Sequence, residues 1–126
     1  MIGIVIVAHC GLAKEYLAAV EHVVGKQKNI RTIEIENECN RSGKEADIHA
    51  AVDAVDKGDG VVVVTDMFGG SPSNLSLGVC CKKNRKILYG ANLPMLVKLV
   101  KSRHLPIANA VSASLKAGRK YIDCYE

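Results

Sequence analysis

The fold is decided by one short stretch near the start of the sequence, Ile2-Gly-Ile-Val-Ile-Val-Ala8. This stretch is apolar without polar alternation and rich in β-branched residues, which is typical of a strand buried on both faces. A second such run, Val61-Val-Val-Val64, lies near the middle of the chain. Because doubly buried strands occur mainly in parallel sheets covered by helices, the two runs predict an α/β fold.

Helix and strand patterns alternate along the chain around these two runs. The patterns predict helices at 12–24, 44–55, 71–81, 94–100 and 107–117, strands at 2–8, 30–35, 61–64, 86–89 and 121–125, and a polar loop at 39–43. Gly25 and Gly118 are expected to end the first and last helices. We expect a mainly parallel open sheet of order 2-1-3-4, with right-handed crossovers and helices on both faces. The last strand follows its helix too closely for a parallel crossover, so we expect an antiparallel edge strand, paired within the subunit or across a dimer.

Length and composition limit the function classes. The 126 residues are 48% hydrophobic and 24% charged, which predicts one globular domain spanning 1–126. The sequence has no apolar run of membrane-spanning length, and residues 2–8 have no basic leader or cleavage site, so we expect a cytoplasmic protein. The five cysteines are odd in number and lack C-x-x-C spacing, which argues against a disulfide framework and against a metal site.

Charge is unevenly distributed between the two halves of the chain. Residues 1–63 hold 7 basic and 10 acidic residues, whereas residues 64–126 hold 10 and 3, so the surface is expected to be polarised. The densest basic cluster is Lys82, Lys83, Arg85 and Lys86, which we interpret as a helix C-terminus and a solvated loop. With one Phe, four Tyr and no Trp available to stack on bases, no nucleic-acid partner is expected.

Polar residues follow three of the predicted strands at the edge where α/β sheets bind ligands. His9 follows the first strand, Asp66 the third, and Gly90-Ala-Asn-Leu-Pro94 the fourth. We therefore expect His9 and Asp66 to be neighbours. A carboxylate that accepts a proton-bearing ring nitrogen leaves the other nitrogen free to attack a phosphoryl or acyl group.

A glycine-rich turn follows Asp66 and has the outline of a phosphate cradle. Its glycines allow backbone amides to come close to an anion, and Ser71 is expected to be the N-cap of a helix whose first residue is Pro72. The free amides and the dipole at that helix start favour a bound anion.

Simpler interpretations exist for each of these signals. A histidine, an aspartate or a Gly-Gly-Ser-Pro turn after a strand is often only structural. Cys10 could act as a thiol nucleophile, but it would need a base of its own. His22, His49 and His104 are interpreted as surface or packing residues. The sequence contains neither a nucleotide-binding P-loop nor a dinucleotide fingerprint, and a response-regulator receiver would need acidic residues where His9 and Cys10 stand.

The segments that hold these residues resemble the enzyme IIA domain of the mannose-family sugar phosphotransferase system. The resemblance runs essentially from end to end and rests on Ile4-Val-Ile-Val-Ala-His9, Val64-Thr-Asp-Met-Phe-Gly-Gly-Ser-Pro72, Gly90-Ala-Asn-Leu-Pro-Met95 and Ala117-Gly-Arg-Lys-Tyr121. Many members have glycine directly after the histidine, where this chain has Cys10.

The resemblance implies a phosphotransferase that needs no cofactor. His9 would accept a phosphoryl group from the phosphocarrier protein HPr and pass it to a IIB domain, with Asp66 orienting its ring. The resemblance also implies a homodimer that exchanges C-terminal strands, which fits the odd strand at 121–125. The residues expected to bind the phosphoryl group are Met67, Phe68, Gly69, Gly70 and Ser71.

The role of the phosphorylation stays open at this point. Since the sequence stops after the IIA domain, we expect the IIB acceptor on a separate chain, with contact to the membrane only through the permease subunits. An alternative is a regulatory module, in which the phosphorylation of His9 controls binding to another protein. A third alternative, a flavodoxin-like ligand-binding domain without covalent chemistry, requires His9 and Asp66 to lie far apart.

Overall fold

The structure is a computed structural model that describes residues 1–36, 40–67, 69–81 and 84–126. Strands and helices alternate through these residues, as the sequence predicts. The elements are β1 (Gly3–His9), α1 (Leu12–Val24), β2 (Ile30–Ile35), α2 (Arg41–Val55), β3 (Val61–Thr65), α3 (Ser71–Ser76), a 3-10 helix (Leu77–Cys81), β4 (Arg85–Leu88), α4 (Leu93–Lys101) and α5 (Ile107–Lys120).

The four strands form one parallel sheet of order β2-β1-β3-β4, which confirms the predicted α/β fold and strand order. Ile4 of β1 pairs with Ile30 of β2 on one side and with Val62 of β3 on the other. The chain thus leaves β1 toward one side and returns to build β3 on the opposite side. Such a reversal opens a crevice at the carboxyl ends of the two strands, where α/β proteins bind ligands.

The side chains of β1 alternate between two apolar cores, one on each face of the sheet. Ile4 and Ile6 face a core with α1, α4 and α5, whereas Val5 and Val7 face a core with α2 and α3. All four side chains are buried. Each contributes about 1.5–3 kcal/mol by leaving water, so the strand that ends at His9 is a rigid platform.

A buried arginine closes the opposite edge of the sheet, where the strands begin. Arg103 follows α4 and is 4% exposed. Its guanidinium donates hydrogen bonds to the carbonyl oxygens of Ile2 at 2.8 Å and Asn29 at 2.9 Å, just before β1 and β2. Burial lowers the pKa of Arg103 because it disfavours the charged form. The Asn29 carbonyl also accepts the Ile4 N–H at 3.1 Å, so the guanidinium ties together the residues that precede β1 and β2 and fixes this edge.

A second buried arginine corrects the interpretation of the basic cluster. Arg85, in β4, is not in a solvated loop: its side chain is 6% exposed and donates to Asp53 at 2.8 Å and to Asp56 at 3.2 Å, at the end of α2. Lys82 and Lys83 of the same cluster lie outside the described residues.

Several element boundaries differ from the prediction. The loop predicted at 39–43 ends earlier, because Asn40 caps α2 by accepting a hydrogen bond from the Gly43 N–H at 3.1 Å; Cys39 lies outside the described residues. The helix predicted at 71–81 changes to a 3-10 helix after Ser76. Gly118 does not end α5: it is buried against α4, where an added Cβ would lie 3.0 Å from that of Met95.

The C-terminal strand predicted at 121–125 does not form within the subunit. Residues 121–126 follow α5 without strand structure, and Tyr121, Ile122 and Tyr125 are exposed. A strand is stable only when a neighbouring strand pairs with it. The exchange of this segment across a dimer stays a prediction.

Candidate active site

The site lies where β1 and β3 end side by side. His9 is the last residue of β1, and Asp66 directly follows β3. The register pairs Val7 with Thr65. His9 and Asp66, which follow this pair, are therefore neighbours in space although they are 57 positions apart in sequence. The Nδ1 atom of His9 lies 2.7 Å from Oδ2 of Asp66. The predicted juxtaposition is confirmed, and the alternative that required the two residues to lie far apart is excluded.

Asp66 is held as a charged carboxylate. Partial burial acts to raise the pKa of Asp66, but hydrogen bonds from the backbone N–H and the ring of His9 outweigh it and keep the pKa below its usual value. Oδ2 accepts the His9 N–H at 3.0 Å as well as the ring contact, and Oδ1 accepts the Met67 N–H at 3.0 Å. Both oxygens are therefore fixed in position.

The charge of Asp66 determines the tautomer of His9. An ionised carboxylate only accepts hydrogen bonds, so Nδ1 of His9 has to carry the ring proton. In the neutral ring, Nε2 then keeps its lone pair. The side chain of His9 is 40% exposed while that of Asp66 is 10% exposed, so the carboxylate is covered and the ring faces outward. This arrangement gives the ring a fixed orientation, in which Nε2 can act as a nucleophile.

The glycine-rich segment lies against the free edge of the ring. A Cβ added to Gly70 would lie 3.0 Å from Cε1 and 3.5 Å from Nε2 of His9, so the absence of a side chain allows this close approach. Gly69 has a φ of +86°, a left-handed conformation that favours glycine. Met67 is 54% exposed beside the pair, whereas Phe68 lies outside the described residues.

Ser71 is not the N-cap of α3, contrary to the prediction. The N-cap is Gly70; Ser71 is the first helical residue and is exposed, and Pro72 is the second. The supporting hydroxyl is instead that of the buried Ser73, which accepts the Gly69 N–H at 2.9 Å and donates to the Gly70 carbonyl at 3.0 Å. Ser71 and Ser73 stand two positions apart in one Ser-Pro-Ser run, and either could hydrogen-bond to the glycine turn. The sequence pattern therefore did not single out Ser73.

Tyr16, on α1, is a further residue near the site, and the sequence patterns do not single it out. Its hydroxyl donates to the carbonyl oxygen of Ala91 at 3.2 Å, in the loop after β4. Burial and the negative charge of Asp66 both raise the pKa of Tyr16. The loop itself reaches the sheet edge as predicted, since the Ala91 N–H donates to the Thr65 carbonyl at 3.1 Å.

The other candidates lie outside this arrangement. Cys10 is exposed and is a free thiol in a left-handed conformation, with φ 50°. His22 and His49 are exposed on α1 and α2, and His104 is exposed before α5. Within the described ranges, no three His, Cys, Asp or Glu side chains are grouped so that they could hold a metal ion. Among the described helices, none has the length and apolar character needed to cross a membrane.

Comparison with known proteins identifies similar chains. Residues 3–116 match the family EIIA-man, described as "PTS system fructose IIA component". The chain is 30% identical over 103 residues to the mannose-specific EIIAB component of the phosphotransferase system of Escherichia coli K12. That match covers 81% of this chain but 32% of the relative, so the chain spans about a third of that protein.

Two further relatives match over almost their whole length. The sorbose-specific EIIA component of Lacticaseibacillus casei is 27% identical over 122 residues, which cover 94% of this chain and 86% of the relative. The crystal structure of a phosphotransferase system component EIIA from Streptococcus agalactiae superimposes with a TM-score of 0.89 at 26% identity. That superposition covers 98% of this chain and 97% of the other.

Proposed function

The chain belongs to the EIIA-man family of phosphotransferase system IIA components, and from this premise we propose that it carries a phosphoryl group on Nε2 of His9. The observation that supports the proposal is the 2.7 Å contact between Nδ1 of His9 and Asp66, which occupies one ring nitrogen and leaves the other as the nucleophile. We further propose that HPr is the phosphoryl donor and that a IIB domain is the acceptor.

His9 neither gains nor loses a proton during the transfer. The lone pair of Nε2 forms a bond to phosphorus, and the bond from phosphorus to the donor breaks and leaves its electron pair on the donor. The proton of Nδ1 stays between His9 and Asp66. The ring becomes cationic while it carries the phosphoryl group, and the Asp66 carboxylate stabilises that charge. Transfer to the acceptor reverses these steps.

The segment from Met67 to Ser71 is proposed to hold the phosphoryl oxygens. The first amides of a helix have no intrahelical acceptor, which leaves the N–H groups of Ser71 and Ser73 available at the start of α3. The Ser71 hydroxyl is exposed at the same place and can donate one more hydrogen bond. The hydroxyl of Ser73 keeps the turn in shape by bonding to Gly69 and Gly70.

The surroundings of His9 suit a reaction between two proteins. The ring is 40% exposed, and the segments that follow His9 and Asp66 carry exposed apolar side chains, with Leu12 at 43% and Met67 at 54%. Exposed apolar side chains next to a reactive group favour transient docking of a partner's surface. Both the donor and the acceptor are proposed to dock here in turn.

The C-terminal segment is proposed to complete the sheet of a second subunit. β4 is an edge strand of the described sheet, and a groove beside it is lined by Ile87, Leu88, Val111 and Ile122. An unpaired edge accepts a strand from another chain. Light scattering is expected to give the mass of a dimer for the full chain and of a monomer after deletion of residues 121–126. A monomeric full chain would contradict the exchange.

The function is tested by supplying the phosphoryl chain in solution. The protein is mixed with phosphoenolpyruvate, enzyme I and HPr, and its intact mass is measured before and after acid treatment. We expect one acid-labile phosphate on the wild type and none on His9→Ala. The matched control is His104→Ala, because His104 is an exposed histidine outside the site. Equal phosphate on the wild type and His9→Ala, or none on the wild type with active donors, would refute the proposal.

Onward transfer separates a carrier from a regulatory module. When a mannose-family IIB domain is added to the phosphorylated protein, a carrier loses its phosphate to that domain within the assay. The control is another mannose-family IIA domain that passes its phosphate to the same IIB domain. If the control transfers its phosphate and this protein keeps its own, the protein is regulatory and the proposed acceptor is wrong.

A further inference from the structure

We infer that Tyr16 is a positioning residue for the His9–Asp66 pair and acts through the loop that follows β4. The inference rests on the proposed function insofar as this pair is taken to be the reacting one. Tyr16 contributes no atom to the transfer itself. Its contribution is to fix the backbone from which Asp66 extends.

A chain of contacts links Tyr16 to the site. The Tyr16 hydroxyl, on α1, donates to the Ala91 carbonyl oxygen at 3.2 Å. The N–H of the same Ala91 donates to the carbonyl oxygen of Thr65 at 3.1 Å. Thr65 is the last residue of β3 and is bonded covalently to Asp66. Tyr16 therefore holds Ala91 from one side while Ala91 holds the end of β3 from the other.

The site is sensitive to where this backbone lies. Oδ2 of Asp66 accepts both the ring and the backbone N–H of His9, and Oδ1 accepts the N–H of Met67. Three hydrogen bonds to one carboxylate can keep good geometry together only if the main chain at Asp66 is fixed. A shift of a few tenths of an ångström would lengthen the ring contact first, because the His9 ring is the partly exposed partner.

The ring of Tyr16 is also electrostatically close to the pair. Burial and then the charge of Asp66 raise the pKa of Tyr16 above the ordinary tyrosine value of about 10, at which the hydroxyl is already protonated at neutral pH. A protonated hydroxyl is the form that donates to the Ala91 carbonyl.

Tyr16→Phe removes the hydroxyl and keeps the ring. We expect the kcat for phosphoryl uptake from HPr to fall about fivefold, the effect of losing one neutral hydrogen bond, while KM stays unchanged because the docking surface is intact. In the unphosphorylated protein, the low-field proton resonance of the His9 Nδ1–H should broaden or shift upfield in the variant, because its contact with Asp66 loosens. The matched control is Ser112→Ala, which removes a hydroxyl that is exposed on α5 and lies outside this chain of contacts.

Wild-type kcat together with an unchanged Nδ1–H resonance in Tyr16→Phe would overturn the inference, and so would a change confined to KM. The resonance is read without phosphorylation, so a wild type that accepts no phosphate refutes the proposed function and still tests Tyr16. If Tyr16→Phe does not fold, the ring of Tyr16 is titrated by NMR in Asp66→Asn. We expect the pKa of Tyr16 to be lower in that variant than in the wild type, and an unchanged value would contradict the position of Tyr16 beside Asp66 that its contact with Ala91 requires.

Discussion

The two edges of the sheet use charged side chains in opposite ways. At the edge where the strands begin, Arg103 and Arg85 are buried, and their guanidinium groups bond to backbone carbonyls or carboxylates. At the edge where the strands end, His9 and Asp66 bond to each other, but the ring is 40% exposed and its Nε2 lies near Gly70. Buried charges with full sets of partners stabilise a fold, whereas an open nitrogen beside a fixed carboxylate can react.

Stability and reactivity should therefore be separable by mutation, and Arg103→Met is expected to give the largest effect. The substitution leaves the carbonyl oxygen of Ile2 without its Arg103 donor and removes one of two donors to the Asn29 carbonyl, which should lower the free energy of unfolding by about 3 kcal/mol. Urea denaturation measures this change. Arg31→Met is the control, because Arg31 is exposed on β2.

The folded fraction of Arg103→Met should accept phosphate at the wild-type rate. A slower rate for folded molecules would mean that the edge where the strands begin also shapes the site, and the contrast between the two edges would fail.

Asp66→Ala is expected to have the reverse effect. Loss of a charge-assisted hydrogen bond to the ring should slow phosphoryl uptake roughly 10- to 100-fold without abolishing it, since His9 keeps a nucleophilic nitrogen. Rapid-quench measurement of the phosphorylated fraction gives the rate. Asp59→Ala serves as the control, because Asp59 pairs only with the N-terminal amine in the described chain. A rate equal to that of the control would show that Asp66 does not orient the ring.

The glycine beside the ring offers a matched pair of substitutions. An alanine at position 70 would place its Cβ 3.0 Å from Cε1 of His9, whereas an alanine at position 11 would meet no atom within 4 Å. Neither glycine has positive φ, so the backbone accepts alanine at both positions. Gly70→Ala should displace the ring and slow uptake about threefold to tenfold, a cost of the order of one contact, while Gly11→Ala leaves it unchanged. Equal rates in the two variants would contradict the placement of Nε2 against Gly70.

The smallest expected effect concerns acid stability. The pKa of Asp56 lies below its usual value because of the hydrogen bond from the Gly58 N–H, with the contact to Arg85 adding to it. A lowered folded pKa gives stability that is present above the unfolded pKa of about 3.9 and is lost as the pH falls through the folded value. Asp56→Asn should remove this contribution, which is below about 1 kcal/mol for a half-buried group that water still reaches. Urea denaturation at pH 7 and pH 3 should show a smaller difference in unfolding free energy for the variant, and an identical difference would contradict the assignment.

The sequence predicts much of the fold because its strongest signals are local. The apolar runs at β1 and β3 and the helical spacing of α1 locate the strands and that helix, and α1 has the predicted bounds of 12–24. The sheet order then brings His9 and Asp66 together, since the carboxyl ends of parallel strands share one edge.

The remaining features depend on contacts between distant segments, which leave no local pattern. Arg103 reaches a carbonyl 101 positions away, and Tyr16 reaches one 75 positions away. Nothing in the neighbouring sequence distinguishes either residue from an exposed arginine or an ordinary helix tyrosine. The strand predicted at 121–125 does not form within the subunit for a related reason. Alternation of apolar and polar residues indicates that a segment can form a strand, but it does not show whether a neighbouring strand is present to pair with it.

The central claim is that Asp66 occupies Nδ1 of His9 and so directs phosphorus to Nε2. The most direct test is a nitrogen-15 and phosphorus-31 NMR spectrum of the protein, labelled at histidine and phosphorylated by enzyme I and HPr. The account predicts phosphorus coupled to Nε2 of His9, with Nδ1 still protonated. Phosphorus bound to Nδ1, or to a residue other than His9, would contradict it.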